Sequence, residues 1–281
     1  MISHGAITVI NAIPCGVGAA VGVDLVTRSE FAAGGAGRSV RIINDPGEDT
    51  RMAEICVKRT FEHLNICEPE GWSLSVDSEI PVSRGLKSSS SACNSIISSV
   101  GGWISKEHGT GFGDGKEDIL EMIRLGVRCA KEAGVTVTGA FDDACACHLG
   151  GFVITDNERN SLIAHKDAER YDVILLVPED RIRKPSIDRQ MFRDLSERMR
   201  GVIRTAENDW LSALTENGGL IAKVLGIDDM IAEDAMRMGA LAAGVSGTGP
   251  AVSVVVGRGE GISFLKDLAH DGYETIVTRT R

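Results

Sequence analysis

The sequence predicts a mixed α+β protein, and three features carry that expectation. Trp72, Leu74, Val76 and Ile80 lie on one face of a strand, and Ala92, Ile96, Ile97, Val100, Trp103 and Ile104 then recur with helical spacing, so strand gives way to helix across a single loop. The closing part of the chain alternates a strand at 172–178, a glycine turn, a strand at 251–256, a helix at 262–270 and a strand at 273–279. With 281 residues and 43% hydrophobic content, the chain can bury one large core or two smaller ones.

Taken in order, residues 5–13 read as a strand, followed by a stretch of small side chains over 14–24. Two readings suit that stretch: close packing of two strands, or one wall of a substrate pocket. Strands are expected at 25–31 and 38–44 around a glycine turn at 33–37. A helix over about 50–65 follows, with Met52, Ile55, Cys56 and Leu64 facing inward. The glycines alternating over 109–115 follow no strand and suit a surface loop. Ile119, Leu120, Ile123, Val127 and Ala130 mark a further helix ending near Gly134.

Asp142 and Asp143 then fall in an expected loop, between a glycine turn and the apolar run around residues 150–154. Adjacent acids in a loop are usually solvated, but these are flanked by small and apolar residues. A composition shift at 156–170 suggests a boundary, giving domains of 1–160 and 161–281. The second half offers the strand at 172–178 and a basic loop with Arg181, Arg183, Lys184 and Arg189, either a solvated face or a clamp for a carboxylate. Met191, Leu195, Met199, Ala206, Trp210 and Leu214 indicate one long helix or two consecutive ones, and another helix starts near Asp228. The turn over 244–250 precedes the strand at 251–256.

Thirty Lys and Arg stand against 40 Asp and Glu, and a net charge of −10 argues against general binding to nucleic acid or a membrane surface. The apolar N-terminal stretch lacks a basic leader and is interrupted by Asn11, Pro14, Gly16, Gly18 and Gly22, which suits neither a signal peptide nor a membrane span. Seven cysteines without a C-x-x-C pair fit a reduced compartment. Cys145, Cys147 and His148 would need a second ligand pair to hold a structural zinc, and Cys145 and Cys147 are expected on one side of a strand.

The loop before the helix at Ala92 is the strongest functional signal. Gly85 permits close backbone approach, and Ser88, Ser89, Ser90 and Ser91 sit where the first-turn N–H groups of a helix lack intrahelical partners. Such a start attracts anions, and Arg84 and Lys87 add positive charge. It is neither the G-x-x-x-x-G-K-[ST] loop nor the G-x-G-x-x-G turn. The glycines and hydroxyls over 244–250 could approach a phosphate as closely.

The order Pro81, Gly85, Leu86, Ser88, Ser89, Ala92 resembles the phosphate motif of the GHMP kinases. Together the stretches 11–24, 85–92, 136–144 and 246–250 resemble the archaeal type of shikimate kinase over nearly the whole chain. The resemblance implies a two-layer α+β N-terminal domain, a ferredoxin-like C-terminal domain and an active site between them. It implies transfer of the γ-phosphate of ATP, with Mg²⁺, to the 3-hydroxyl of the small molecule shikimate in the cytoplasm. Carried across, Pro81, Val82, Ser83, Arg84, Gly85, Leu86, Lys87, Ser88, Ser89, Ser90 and Ser91 form the triphosphate site, with Ser89 nearest Mg²⁺. Ser246, Gly247, Thr248 and Gly249 complete the cradle.

Phosphoryl transfer commonly uses a carboxylate to receive the hydroxyl proton, and Asp142 or Asp143 would supply it. The resemblance ranks Asp142 first. One departure stands out: Val17 occupies the place of a lysine in relatives, and Lys87 is its natural substitute. Substrate carboxylate recognition falls to Arg84, Arg183 or Arg189. Homoserine or mevalonate as acceptor, and a non-catalytic sensor on the same fold, are the alternatives.

Overall fold

The computed structural model describes residues 1–81, 85–136, 139–178, 189–269 and 271–281. Its first half is built from β1 (Ile2–Ile10), the long β2 (Val17–Ala33), β3 (Arg38–Ile42), α1 (Arg51–His63), β4 (Trp72–Ser78), α2 (Ser88–His108), α3 (Lys116–Glu132), α4 (Phe141–Leu149), β5 (Phe152–Asp156) and β6 (Ser161–Lys166). The second half adds β7 (Asp172–Pro178), a 3₁₀ segment (Arg189–Leu195), α5 (Ser196–Ala206), α6 (Trp210–Leu225), α7 (Met230–Arg237), β8 (Ala242–Val245), β9 (Val252–Val256), α8 (Gly261–Asp267) and β10 (Tyr273–Arg279).

The first sheet has the order β3-β4-β2-β5-β6, with β1 paired to β2. β3 and β4 run parallel and the other pairs antiparallel. The second sheet, β10-β7-β9-β8, is antiparallel throughout. With its helices it follows the β-α-β-β-α-β order of a ferredoxin-like unit.

Side-chain alternation explains the layering. Trp72, Leu74 and Val76 of β4 pack with Cys56, Val57 and Phe61 of α1 and with Ile96, Ile97 and Val100 of α2. Ile7, Val9, Val21 and Val23 join Val173, Leu175 and Val177 of β7 and Leu214 and Ile221 of α6, so one core spans the two sheets. The opposite face of β7, Ile174 and Leu176, packs with Ile231 and Ala235 of α7. β7 is therefore apolar on both faces, which made it legible as a strand.

Several expectations change. The small-residue stretch is the first half of β2, whose glycines admit α4: a Cβ at Gly22 would lie 2.9 Å from the Ala146 carbonyl oxygen. Asp142, Asp143, Cys145 and Cys147 sit on helix α4, not on a loop and a strand. Asp and Cys are indifferent helix formers, and here close packing on the sheet overrides local preference. The polar stretch after residue 156 contains β6, which still pairs with β5, so the change of sheet comes between Lys166 and Asp172. The turn expected to begin at Gly244 begins after it, because Gly244 and Val245 end β8.

Candidate active site

Two helices start at the same cavity, each from a left-handed residue. Lys87 (φ 68) precedes α2, and Ala140 (φ 49) precedes α4. The first intrahelical bond of α2 is Ser91 N–H to Lys87 O, so the N–H groups of Ser88, Ser89 and Ser90 stand ahead of the ladder. No acidic side chain lies in that first turn, and among the described residues no side chain caps it. The dipole of this long helix is thus offered to an anion from outside. α4 carries Asp142 and Asp143 in its own first turn.

The cavity, about 1030 Å³, is lined at this end by Thr8, Lys87, Ser88, Ser89, Ser90, Asp142, Asp143, Gly247 and Thr248. It continues past Ile42, Asp49 and Met52 between the starts of α1 and α2, a length suited to an elongated ligand. A separate cavity of about 710 Å³ on the β2–β4 side includes Ser29, Arg41 and Ser75, and it contains neither helix start nor acid pair.

Lys87 bridges the elements. Its Nζ lies 3.3 Å from Asp143 Oδ2, with both side chains largely buried. A Cβ at Gly247 would sit 2.7 Å from the same Nζ, so the glycine lets the ammonium pass. The turn is held against the serine loop by Ser246 Oγ, which donates to Gly85 O (3.2 Å) and accepts from Thr8 N–H (3.3 Å). Gly85 has φ +84, and a Cβ there would meet Ser246 O at 2.7 Å. Asn11 Nδ2 donates to Gly247 O (2.9 Å), and its own N–H is received by Asn217 Oδ1 of α6 (2.9 Å). The glycine turn is therefore tied to both sheets.

The two acids differ in setting. Asp142 Oδ1 accepts from Asn157 Nδ2 at 2.7 Å, and the Asp142 carboxylate presses on Gly18, where a Cβ would be 2.4 Å from Oδ2. Burial pushes the Asp142 carboxyl up, while the Asn157 hydrogen bond and the positive Lys87 pull it down. Asp143 is pushed up to about 7, mainly by burial and also by the Asp142 charge, against the pull of Lys87. Its Oδ1 is buried and has no hydrogen-bond partner among the described residues. A buried acceptor left open beside a cavity suits a ligand hydroxyl.

Mg²⁺ would have to be held mostly by a nucleotide, since among the described residues no group of three or more His, Cys, Asp or Glu is arranged to bind a metal. That is how Mg²⁺ is commonly held, through substrate phosphates with few protein ligands. The bare start of α2 and the Ser89 position on the cavity wall fit such a complex.

The structure brings Gly85, Lys87, Ser88, Ser89, Ser90, Asp142, Asp143, Gly247 and Thr248 to one cavity. Other expected residues play different parts. Leu86 is in the core, Ser91 is fully buried, Ser246 braces the turn, and Gly249 packs on Ile227. Pro81 stands beside the segment 82–84, and Val82, Ser83, Arg84 and Arg183 lie outside the described residues, as does the Arg189 side chain. Thr8, Asn11 and Asn157 were given no role by sequence reasoning. Asn11 lay within a recognised motif, whereas nothing in the pattern around Asn157 marked it.

The GHMP kinases N terminal domain matches residues 51–151. The shikimate kinase of Methanobrevibacter smithii is 37% identical over 99% of this chain and 94% of its own length. The chain belongs to the GHMP kinase family. The shikimate kinase of Methanothrix thermoacetophila is 38% identical over 90% of this chain and 84% of its own. In fold, this GHMP kinase is similar to the mevalonate kinase of Methanococcus jannaschii, with a TM-score of 0.78 and 18% identity over 100% of this chain and 98% of that one. Kinases of this family use ATP with Mg²⁺. Among the described residues, no helix is long and apolar enough to cross a membrane.

Proposed function

We propose that this GHMP kinase transfers the γ-phosphoryl group of ATP to the 3-hydroxyl of shikimate, as a cytoplasmic enzyme of aromatic amino acid biosynthesis. The observation that carries the chemistry is the buried Lys87–Asp143 pair set between the starts of α2 and α4. The choice of acceptor rests on similarity to the archaeal shikimate kinases along almost the full chain.

In this reading the N–H groups and hydroxyls of Ser88, Ser89 and Ser90 receive the β- and γ-phosphates, and the turn from Gly247 to Thr248 closes over them from the other sheet. Ser89 would hold Mg²⁺ together with the phosphates, and the ion would supply charge neutralisation there. Asp143 Oδ1 accepts the proton of the acceptor hydroxyl as its oxygen attacks the γ-phosphorus and the bond from that phosphorus to ADP breaks. Lys87 holds Asp143 in place and offsets negative charge between it and the phosphate, the task left open by Val17. Sequence resemblance ranked Asp142 ahead, but its oxygen is already committed to Asn157, so we assign the base to Asp143 and a supporting role to Asp142. We retain a division into two units, with the site between them.

A pyruvate kinase–lactate dehydrogenase coupled assay with Mg²⁺–ATP against shikimate, homoserine, mevalonate and galactose tests the acceptor. Turnover with shikimate alone is expected. Turnover with homoserine or mevalonate, and none with shikimate, would replace the acceptor while keeping the family.

A further inference from the structure

Asn157 follows β5 directly and is 2% exposed. Its Oδ1 accepts from Thr155 Oγ1 at 2.6 Å and from the Asp142 N–H at 3.2 Å. Two donors on the amide oxygen fix the orientation of the group, so the Nδ2 side must face Asp142 Oδ1, 2.7 Å away. Asp142 also stands in the first turn of α4, where the helix N–H groups favour its charged form. Donors stabilise the charged form of an acid.

Asp143, one residue on, has an unlike environment. Lys87 reaches Oδ2, and among the described residues nothing reaches Oδ1. Adjacent buried carboxylates resist being ionised together, so an arrangement that keeps one charged keeps the other protonated to higher pH. We propose that Asn157 is a positioning residue for phosphoryl transfer: it holds Asp142 as the standing anion of the pair, which leaves Asp143 as the member that exchanges a proton with the acceptor hydroxyl. The proposal rests on the reading of Asp143 given above.

The other elements packed around the pair leave this division intact. Lys87, at the start of α2, is the cation acting on both acids. Arg124 of α3 acts on Cys145, one turn further along α4, and burial pushes the Cys145 and Cys147 thiols up, so they stay neutral. β1 presents the Thr8 hydroxyl and the second sheet the backbone of Gly247. Glu158, next to Asn157, turns instead toward Gly16 and Cys15.

The test is a pH titration of protein carrying ¹³C at the Asp side-chain carboxyls, with the two signals assigned by their loss in Asp142→Asn and Asp143→Asn. In the wild type, Asp142 should ionise at lower pH than Asp143. In Asn157→Leu the Asp142 transition should rise by about 1–2 pH units and that of Asp143 should fall, because one hydrogen bond to a charged group is lost. Thr155→Val, which frees the amide without creating a void, should shift both in the same directions by less, and it carries the test if Asn157→Leu fails to fold. The acid limb of the kcat profile should follow Asp143. Transitions that do not move in either variant, or an Asp143 that ionises first in the wild type, would overturn the proposal. Shifts as expected in a protein inactive toward every acceptor would leave the order of ionisation set by Asn157 standing, but would refute the phosphoryl-transfer reading and with it a positioning role in that reaction.

Discussion

Lys87 Nζ and Asp143 Oδ2 stand 3.3 Å apart, the lysine side chain 8% and the aspartate side chain 13% exposed. A pair this buried is held by its mutual charge, and removing one partner strands the other. Lys87→Met should therefore lower stability by about 3–5 kcal/mol if the Asp143 charge is retained, or by less if Asp143 takes up a proton. In either case turnover should collapse. Thermal melts at about pH 6 and about pH 8 separate the two, since a protonated Asp143 makes the lower pH the milder one. Lys87→Arg should not restore activity, because the ammonium fits where a Cβ at Gly247 would leave only 2.7 Å.

The pH dependence follows from the raised Asp143 carboxyl. A base must be ionised, so kcat should rise with pH through about 7. Stability runs the other way. An acid whose folded pKa lies above the unfolded one contributes stability that is fully present below the ordinary Asp range near ~3.9 and is lost as pH rises through the folded value. Between about pH 5 and pH 8 the melting temperature of the wild type should therefore fall relative to Asp143→Asn. A gap between the two that does not change with pH would show that Asp143 has an ordinary acidity.

Ser89→Ala should weaken productive binding of Mg²⁺–ATP with little loss of fold, because Ser89 lines the cavity at the start of α2. Calorimetry with and without Mg²⁺ checks it. The loss should be larger with the metal present, and unchanged affinity with unchanged turnover would remove Ser89 from the site.

Gly85→Ala tests the seam between the serine loop and the glycine turn. The positive φ and the approach of Ser246 O both oppose a side chain, so a loss of roughly 1–3 kcal/mol is expected, with weaker nucleotide binding. A variant with wild-type stability and affinity would show that the seam is looser than the contacts imply.

Strong periodicity made much of the fold legible. β7 and β10 were read at their observed limits, since an apolar run in one case and turn signals in the other leave little choice. The start of α2 was legible as a helix start, because glycine followed by serines ahead of an apolar helical stripe has a direct physical meaning. α4 was not, because its 9-residue run carries Asp142, Asp143, Cys145 and Cys147, which are indifferent helix formers, and it forms where the glycines of β2 give it room. β6 was hidden by its polar, half-exposed edge position. Asn157 could not be found from pattern, since its partner Asp142 is distant in sequence and only the fold brings the two together.

The central claim is that Asp143, paired with Lys87, takes the proton of the acceptor hydroxyl. Single-turnover kinetics of Asp143→Asn and Asp142→Asn with Mg²⁺–ATP and shikimate test it most directly, alongside nucleotide affinity measured by calorimetry. Asp143→Asn should slow the chemical step by about 10²- to 10⁴-fold with ATP affinity nearly unchanged, and Asp142→Asn should be milder. An Asp143→Asn enzyme that phosphorylates shikimate at the wild-type rate, with Asp142→Asn inactive, would contradict the assignment.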